Sequence, residues 1–444
     1  MKWKIAAILL LAIIVISGVY GWHEYQNFNA VPHTRLAAGS YYPEMLPDEY
    51  HHYLQIPINH QDPSLGNFTD FYLLNPEFIA GDNVVFWLCD NQQEAVGLTT
   101  SWRDFDASLG GLSYVLIGNR GVSPTLFPEV FDKDGSVNYT LAMKLYGSNE
   151  QIDDIEAIRR DMQKKGLLPK NGKIMVYGRS GGGVLVQQYL DKYGDHVSRA
   201  LIEASGGPDL AREHNTTFNK NTYESNPAVA SSYFALAQKG DATASLAFML
   251  FMIGQGGDVD LQMKIADSRT NNSSLGDKFT YMKSWLVPSN NFPLIYSLFN
   301  APRELEVKVR LYELMAEDLE NYHPASSKEV CLAIEWAKVL LADFIKAREK
   351  GEIPTTQINL NRSRYKGEVM VWSGTGDQVC AVEMGQWVSD SYPYSRLAVF
   401  DDSHHFQEHP GYYRQFRRAY FTYGLNSSEV QTHFDDPRQL NAEL

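Results

Sequence analysis

Short apolar runs alternate along the first half of the chain with stretches where apolar positions recur every three or four residues. Segments 51–59 (HHYLQIPIN) and 68–76 (FTDFYLLNP) read as strands, and the turn formers between them predict an antiparallel hairpin. Two fully apolar runs follow, 83–89 (NVVFWLC) and 113–119 (SYVLIGN), with the character of buried strands. Segment 148–165 reads as a helix. Ile152, Ile155, Ile158 and Met162 share one face, and Ser148 with Gln151 fits a capping box. A strand over 173–177, a helix from Val184 and a strand over 199–207 complete the series. Strand, helix, strand, helix in this order predicts a mostly parallel sheet flanked by crossover helices.

From about Pro208 the pattern changes. Segments 231–238, 243–255, 302–323 and 326–350 are all helical in period, and Ser326 with Glu329 suggests a second capping box. Strand patterns return at 367–379 and 395–406, and a helix over 410–424 is aromatic on one side and basic on the other. The return makes the helical block an insertion. The expected organisation is an N-terminal segment 1–21, a first core part 41–207, a helical cap 208–355, a second core part 356–425 and a loosely held tail 426–444.

The N-terminus adds a destination. Lys2 and Lys4 precede an apolar run from Ile5 to about Val19, the layout of an export signal, cleaved or kept as a membrane anchor. The body is therefore expected outside the cytoplasm. A net charge of −14 argues against nucleic acid or an anionic membrane surface as partner. Only Cys89, Cys331 and Cys380 are present, which is no disulfide framework. No HExxH or CxxC spacing occurs, so neither metal nor cofactor is expected.

The chemistry centres on Gly178-Arg179-Ser180-Gly181-Gly182, between a strand and a helix. This fits the G-x-S-x-G nucleophile elbow, in which flanking glycines let strand and helix approach and the amide after the serine faces the carbonyl under attack. No Gly-Lys-Ser/Thr follows, so a Walker phosphate loop is excluded. An elbow serine needs a base and a group to orient it. Asp377 follows the strand EVMVW and His404 follows RLAVF, in the chain order this arrangement requires. His405 competes with His404 as the base. Asp401 and Asp402 compete with Asp377 but lie too near the histidine in sequence. The first oxyanion donor is expected at the amide of Gly181, and the second near Cys89 or Asp90. Arg179 is expected in a structural ion pair, with a substrate carboxylate as the alternative.

These residues resemble the secreted α/β-hydrolase peptidases related to proline iminopeptidase and tripeptidyl aminopeptidase. The likeness covers most of 50–206 and 367–423, including LQIPINHQDPSLGNF, YVLIGNRG, the elbow and the turns GTGDQV and DSHHF. It implies an α/β-hydrolase fold with a large inserted helical cap, a Ser180-His404-Asp377 triad and release of short N-terminal units from peptides. In such enzymes acidic groups hold the substrate amine, for which Glu203 and Glu94 are available here. The family's usual His-Gly-Gly-Pro-Gly is replaced by Cys89-Asp90-Asn91-Gln92-Gln93-Glu94, so its oxyanion glycines are gone. An esterase with the same triad, or a hydrolase-fold binding protein, are the alternatives.

Overall fold

The computed structural model describes residues 15, 18–23, 26, 48–92, 96–122, 127–269, 274–287, 290 and 305–440. Eight strands form one sheet: β1 (His51–Pro57), β2 (Asn67–Leu74), β3 (Val84–Trp87), β4 (Ser113–Ile117), β5 (Ile174–Arg179), β6 (Val197–Glu203), β7 (Glu368–Gly374) and β8 (Ser395–Phe400). Their spatial order is β1-β2-β4-β3-β5-β6-β7-β8. β2 runs antiparallel to β1 and β4, and every other pair is parallel. With the serine at the end of β5 and the insertion after β6, this is the α/β-hydrolase fold.

The central strands are buried on both faces, which is why they read as continuous apolar runs. Alternate residues enter different cores. Val84, Phe86, Val176, Ile202 and Val371 pack on one side. Val85, Trp87, Tyr177, Leu201 and Trp372 pack on the other. The helices that position the site are α1 (Ser148–Lys164), α2 (Gly181–Tyr193), α3 (Ala244–Gln255), α4 (Leu305–Asn321), α5 (Leu332–Leu340) and α6 (Pro410–Tyr423). α3, α4 and α5 belong to the inserted block between β6 and β7.

Four local expectations differ from the structure. Gly147, not Ser148, is the N-cap of α1. The Ser148 amide instead donates to the Glu313 carboxylate of α4 at 2.9 Å, and its hydroxyl accepts from Gln188 at 2.8 Å. The second capping box is also absent. Ser326 makes no side-chain cap, and the segment splits into a 3-10 turn, α5 and Ala342–Glu349. In α6 the basic side is not wholly outward, because Arg417 is buried. The tail is docked rather than loose. Ser428–Phe434 is a helix that buries Val430 and Phe434, and the Leu440 amide donates to Val399 at 2.9 Å.

Cys89, Cys331 and Cys380 are all free and buried. Among the described residues no helix is long and apolar enough to cross a membrane. The basic start and most of the apolar N-terminal run lie outside the described residues.

Candidate active site

Ser180 stands between β5 and α2 at φ 50° and ψ −128°. A non-glycine residue rarely adopts this backbone region, and strain of this kind persists only where the surroundings enforce it. Here they do. The Ser180 amide donates to the Glu203 carbonyl at 2.9 Å, and its carbonyl accepts from the Ser205 hydroxyl at 2.6 Å. A Cβ on Gly178 would strike the Gly182 carbonyl, and one on Gly182 would strike the Leu88 carbonyl. The glycines of the motif are therefore demanded by contact of α2 with β5 and with the end of β3.

Asp377 and His404 come together from the carboxyl ends of β7 and β8. Asp377 Oδ2 lies 2.9 Å from His404 Nδ1, and both residues are at most 2% exposed. The other oxygen, Oδ1, accepts from the amides of Val379 and Cys380 at 2.7 and 3.0 Å. A carboxylate only accepts, so Nδ1 carries the hydrogen between them and turns Nε2 away from Asp377. Nε2 is buried with no hydrogen-bond partner in the structure. A ring nitrogen that no other group engages is what a general base requires.

The rival residues are placed elsewhere. Asp402 builds the histidine turn, accepting from the amides of Ser403 and Glu408 and from the Tyr413 hydroxyl at 2.7, 3.0 and 2.7 Å. Asp401 is exposed and accepts from Thr375 Oγ1 at 3.1 Å. His405 packs edge-on against His404 with ring centres 5.3 Å apart and lines the cavity beside Ser180. Burial pushes its imidazole down to about 4, and the neighbouring His404 and Arg179 push the same way.

Glu203 does not line this cavity, a correction to its expected role as a substrate contact. It is 1% exposed and accepts from Arg417 Nε and Nη2 at 2.5 and 2.9 Å and from the Tyr177 hydroxyl at 2.7 Å. The carboxylate thereby braces α6 against β5 and β6. Arg179 lies with its guanidinium 5.6 Å from the centre of the Trp87 ring, and burial lowers its pKa despite the Glu203 charge. Glu94, the other expected substrate contact, lies outside the described residues.

The loop after β3 crosses the start of α2. The Cys89 carbonyl accepts from Asn119 and Gln151 at 2.9 and 3.1 Å. Asp90 is 2% exposed and paired with Arg310 of α4, Nε to Oδ2 at 3.1 Å. Arg310 also donates to the Gly181 carbonyl at 3.2 Å. Neither Arg310 nor Gln92, which lines the cavity, was singled out from sequence. The trace in the sequence was weak, since Arg310 sits on its helix between Glu306, Val307, Glu313 and Leu314.

Ser180, Gly181, Gln92 and His405 open onto a cavity of about 380 Å3. Its walls are Phe248, Phe251, Leu311, Leu314, Met315 and Trp336 from the inserted helices, with Asn219 and Gln255 among its few polar groups. No acidic side chain among the described residues lines it. Asp377, Cys380 and His404 offer donor atoms within 4.8 Å of one another, the geometry of a possible metal site. A metal there would have to displace the proton shared by Asp377 and His404. Burial also holds the Cys380 thiol well above its usual pKa, against the thiolate a metal prefers.

A scan of protein-family models and a search of curated proteins each find no match. Solved structures do align. An esterase from Exiguobacterium antarcticum is 14% identical, covering 79% of this chain and 96% of its own, with a TM-score of 0.35. A meta-cleavage product hydrolase from Pseudomonas fluorescens is 13% identical over 74% and 86%, at 0.35. A putative non-heme bromoperoxidase from Mycobacterium tuberculosis is 14% identical over 75% and 87%, at 0.32. The fold is assigned on strand order and elbow, not on these likenesses.

Proposed function

We propose that this chain is an exported serine hydrolase that cleaves carboxylic esters or amides whose apolar acyl part sits in the cavity under the inserted helices. Ser180 Oγ attacks the carbonyl carbon and gives its proton to His404 Nε2, while the carbonyl π electrons move onto oxygen. Asp377 holds the ring tautomer and stabilises the imidazolium. Collapse of the tetrahedral adduct expels the leaving group, which takes the proton from His404. Water then repeats the sequence on the acyl-enzyme. The observation that carries this reading is the Asp377–His404 contact with its free buried Nε2, together with a strained serine that lines one cavity with His405, the residue after His404. Export rests on the N-terminal sequence alone.

The cavity lining supports the choice of acyl group. Apolar walls without a carboxylate suit an uncharged chain or ring better than a free ammonium. A peptidase that takes free N-termini is the second reading, favoured by one feature. A neighbouring polar cavity of about 470 Å3 shares Phe218 and Leu314 with the first and presents Asp318. Burial lifts the Asp318 carboxyl to about 7, against the opposing hydrogen bond from the Phe218 amide.

Fluorophosphonate labelling tests the chemistry, and a panel of p-nitrophenyl esters and free or acetylated peptide anilides tests the substrate. Ser180→Ala is the blank. Ester turnover that ignores the amine supports the first reading. Cleavage confined to free-amine anilides moves the assignment to the peptidase. A folded protein whose Ser180 stays unlabelled is a binding protein on a hydrolase fold.

A further inference from the structure

We propose that the side-chain amide of Gln92 is the second oxyanion donor of this site, held in place by Asp90 and, through it, by Arg310. The inference rests on the hydrolase reading and deepens it. An acyl-transfer site needs two converging donors at the oxygen that becomes negative. The Gly181 amide, at the start of α2, supplies the first. The stretch Cys89–Glu94 after β3 has no glycine, and it carries a polar side chain, Gln92, at the cavity.

The geometry fixes that side chain. Gln92 Nε2 lies 3.2 Å from Asp90 Oδ2, and the Gln92 main-chain amide donates to Asp90 Oδ1, also at 3.2 Å. A carboxylate has no hydrogen to give, so the end of the Gln92 amide that faces it is the nitrogen. That nitrogen has two hydrogens. Asp90 takes one and leaves the other for the cavity, which Gln92 lines together with Ser180 and Gly181. A Cβ on Gly181 would strike both Gln92 Nε2 and Asp90 Oδ2. The side-chain donor therefore stands directly against the residue that bears the first donor.

A carboxylate near a forming oxyanion would oppose it. Arg310 answers that charge, donating from Nε to the same Asp90 oxygen at 3.1 Å. Its other nitrogens donate to the Gly181 carbonyl, to Gln188 and to Glu313 at 3.2, 3.2 and 3.3 Å. Asp90 and Arg310 are positioning residues in this scheme, and Gln92 alone touches the reacting oxygen.

The test is the second-order rate at which a fluorophosphonate labels Ser180, because phosphonylation develops negative charge on an oxygen in the same pocket. Gln92→Met keeps the side-chain length and removes the donor, and Gln92→Ala serves as a second variant. Both are expected to fold as the parent does, with labelling slowed about 10²–10³-fold. Asp90→Asn should slow labelling in the parent but add nothing in the Gln92→Met background, as expected if it acts through Gln92. Labelling of both Gln92 variants within threefold of the parent would overturn the inference and leave the hydrolase reading standing. A parent protein that is not labelled at all would overturn both.

Discussion

His405 makes the stability of this protein sensitive to mild acid, and replacing it should remove part of that sensitivity. In the folded chain its imidazole is pushed from 6.5 to about 4, first by burial and then by His404 and Arg179, with Asp377 opposing. In the unfolded chain the burial, Arg179 and Asp377 are gone, and His404 remains only as a solvated chain neighbour. Above about pH 6.5 the ring is neutral in both states and costs nothing. Between 6.5 and about 4 the unfolded state binds a proton that the folded state refuses, so stability falls as the pH falls. Below about 4 both states are protonated and the loss is complete. At about 1.36 kcal/mol per pH unit, the full loss is about 3 kcal/mol. Urea unfolding of the parent and of His405→Gln at pH 7.5, 5.5 and 4.0 would measure it. The variant should lose about 3 kcal/mol less between the extremes, the gap opening from 6.5 downward. Parallel loss in the two proteins would show that His405 titrates normally and is not held neutral in the cavity.

Other perturbations test other parts. Asp377→Asn is expected to lower kcat about 10⁴-fold, because an amide nitrogen facing Nδ1 favours the wrong tautomer; a loss below tenfold would remove Asp377 from the triad. Arg120 is fully buried and held by Asp154 at 2.5 and 2.6 Å and by the Ile58 carbonyl at 3.0 Å. Arg120→Met leaves Asp154 with His60, 2.7 Å away, in place of the guanidinium, and near Asp70, whose own pKa is already raised, by burial first and Asp154 next. It should cost about 3–5 kcal/mol in denaturant unfolding, and a cost below about 1 would refute the pairing. Ala333 lines the cavity. Ala333→Phe should shorten the longest acyl chain accepted while acetyl ester turnover persists, and an unchanged chain-length profile would place the acyl group elsewhere.

What could be read from the sequence was whatever a few adjacent residues determine. The elbow, the turn after β7 and the turn after β8 each pair a strand with a local turn, so Ser180, Asp377 and His404 could be put forward as a triad without knowing how the chain packs, and Asp377 does meet His404. Glu203 shows the limit. It follows a buried strand just past the elbow and looks available, yet Arg417, 214 residues later, closes on it. Ser148 fails for the same reason, since a distant Glu313 supplies the partner that a local capping box would have given. The cavity and its polar edge depend on Arg310 meeting Asp90 across 220 residues, and helical period says nothing of such a meeting.

That meeting also limits how the inserted helices can move. α4 turns charged side chains inward: Lys308, Arg310 and Glu313 are all buried. Among the described residues Arg310 is held by groups of the core and of its own helix, namely Asp90, Gln188, the Gly181 carbonyl and Glu313. Lifting α4 would break the Arg310–Asp90 pair and the hydrogen bonds around it, and would expose Leu311, Leu314 and Met315, now buried, to water. It would also release Gln92 from the orientation that aims its amide at the cavity. α3 offers a wall by which substrate could reach the cavity. Its Met252 lines the cavity yet is 42% exposed, so the space above Ser180 reaches the surface there without disturbing the arginine.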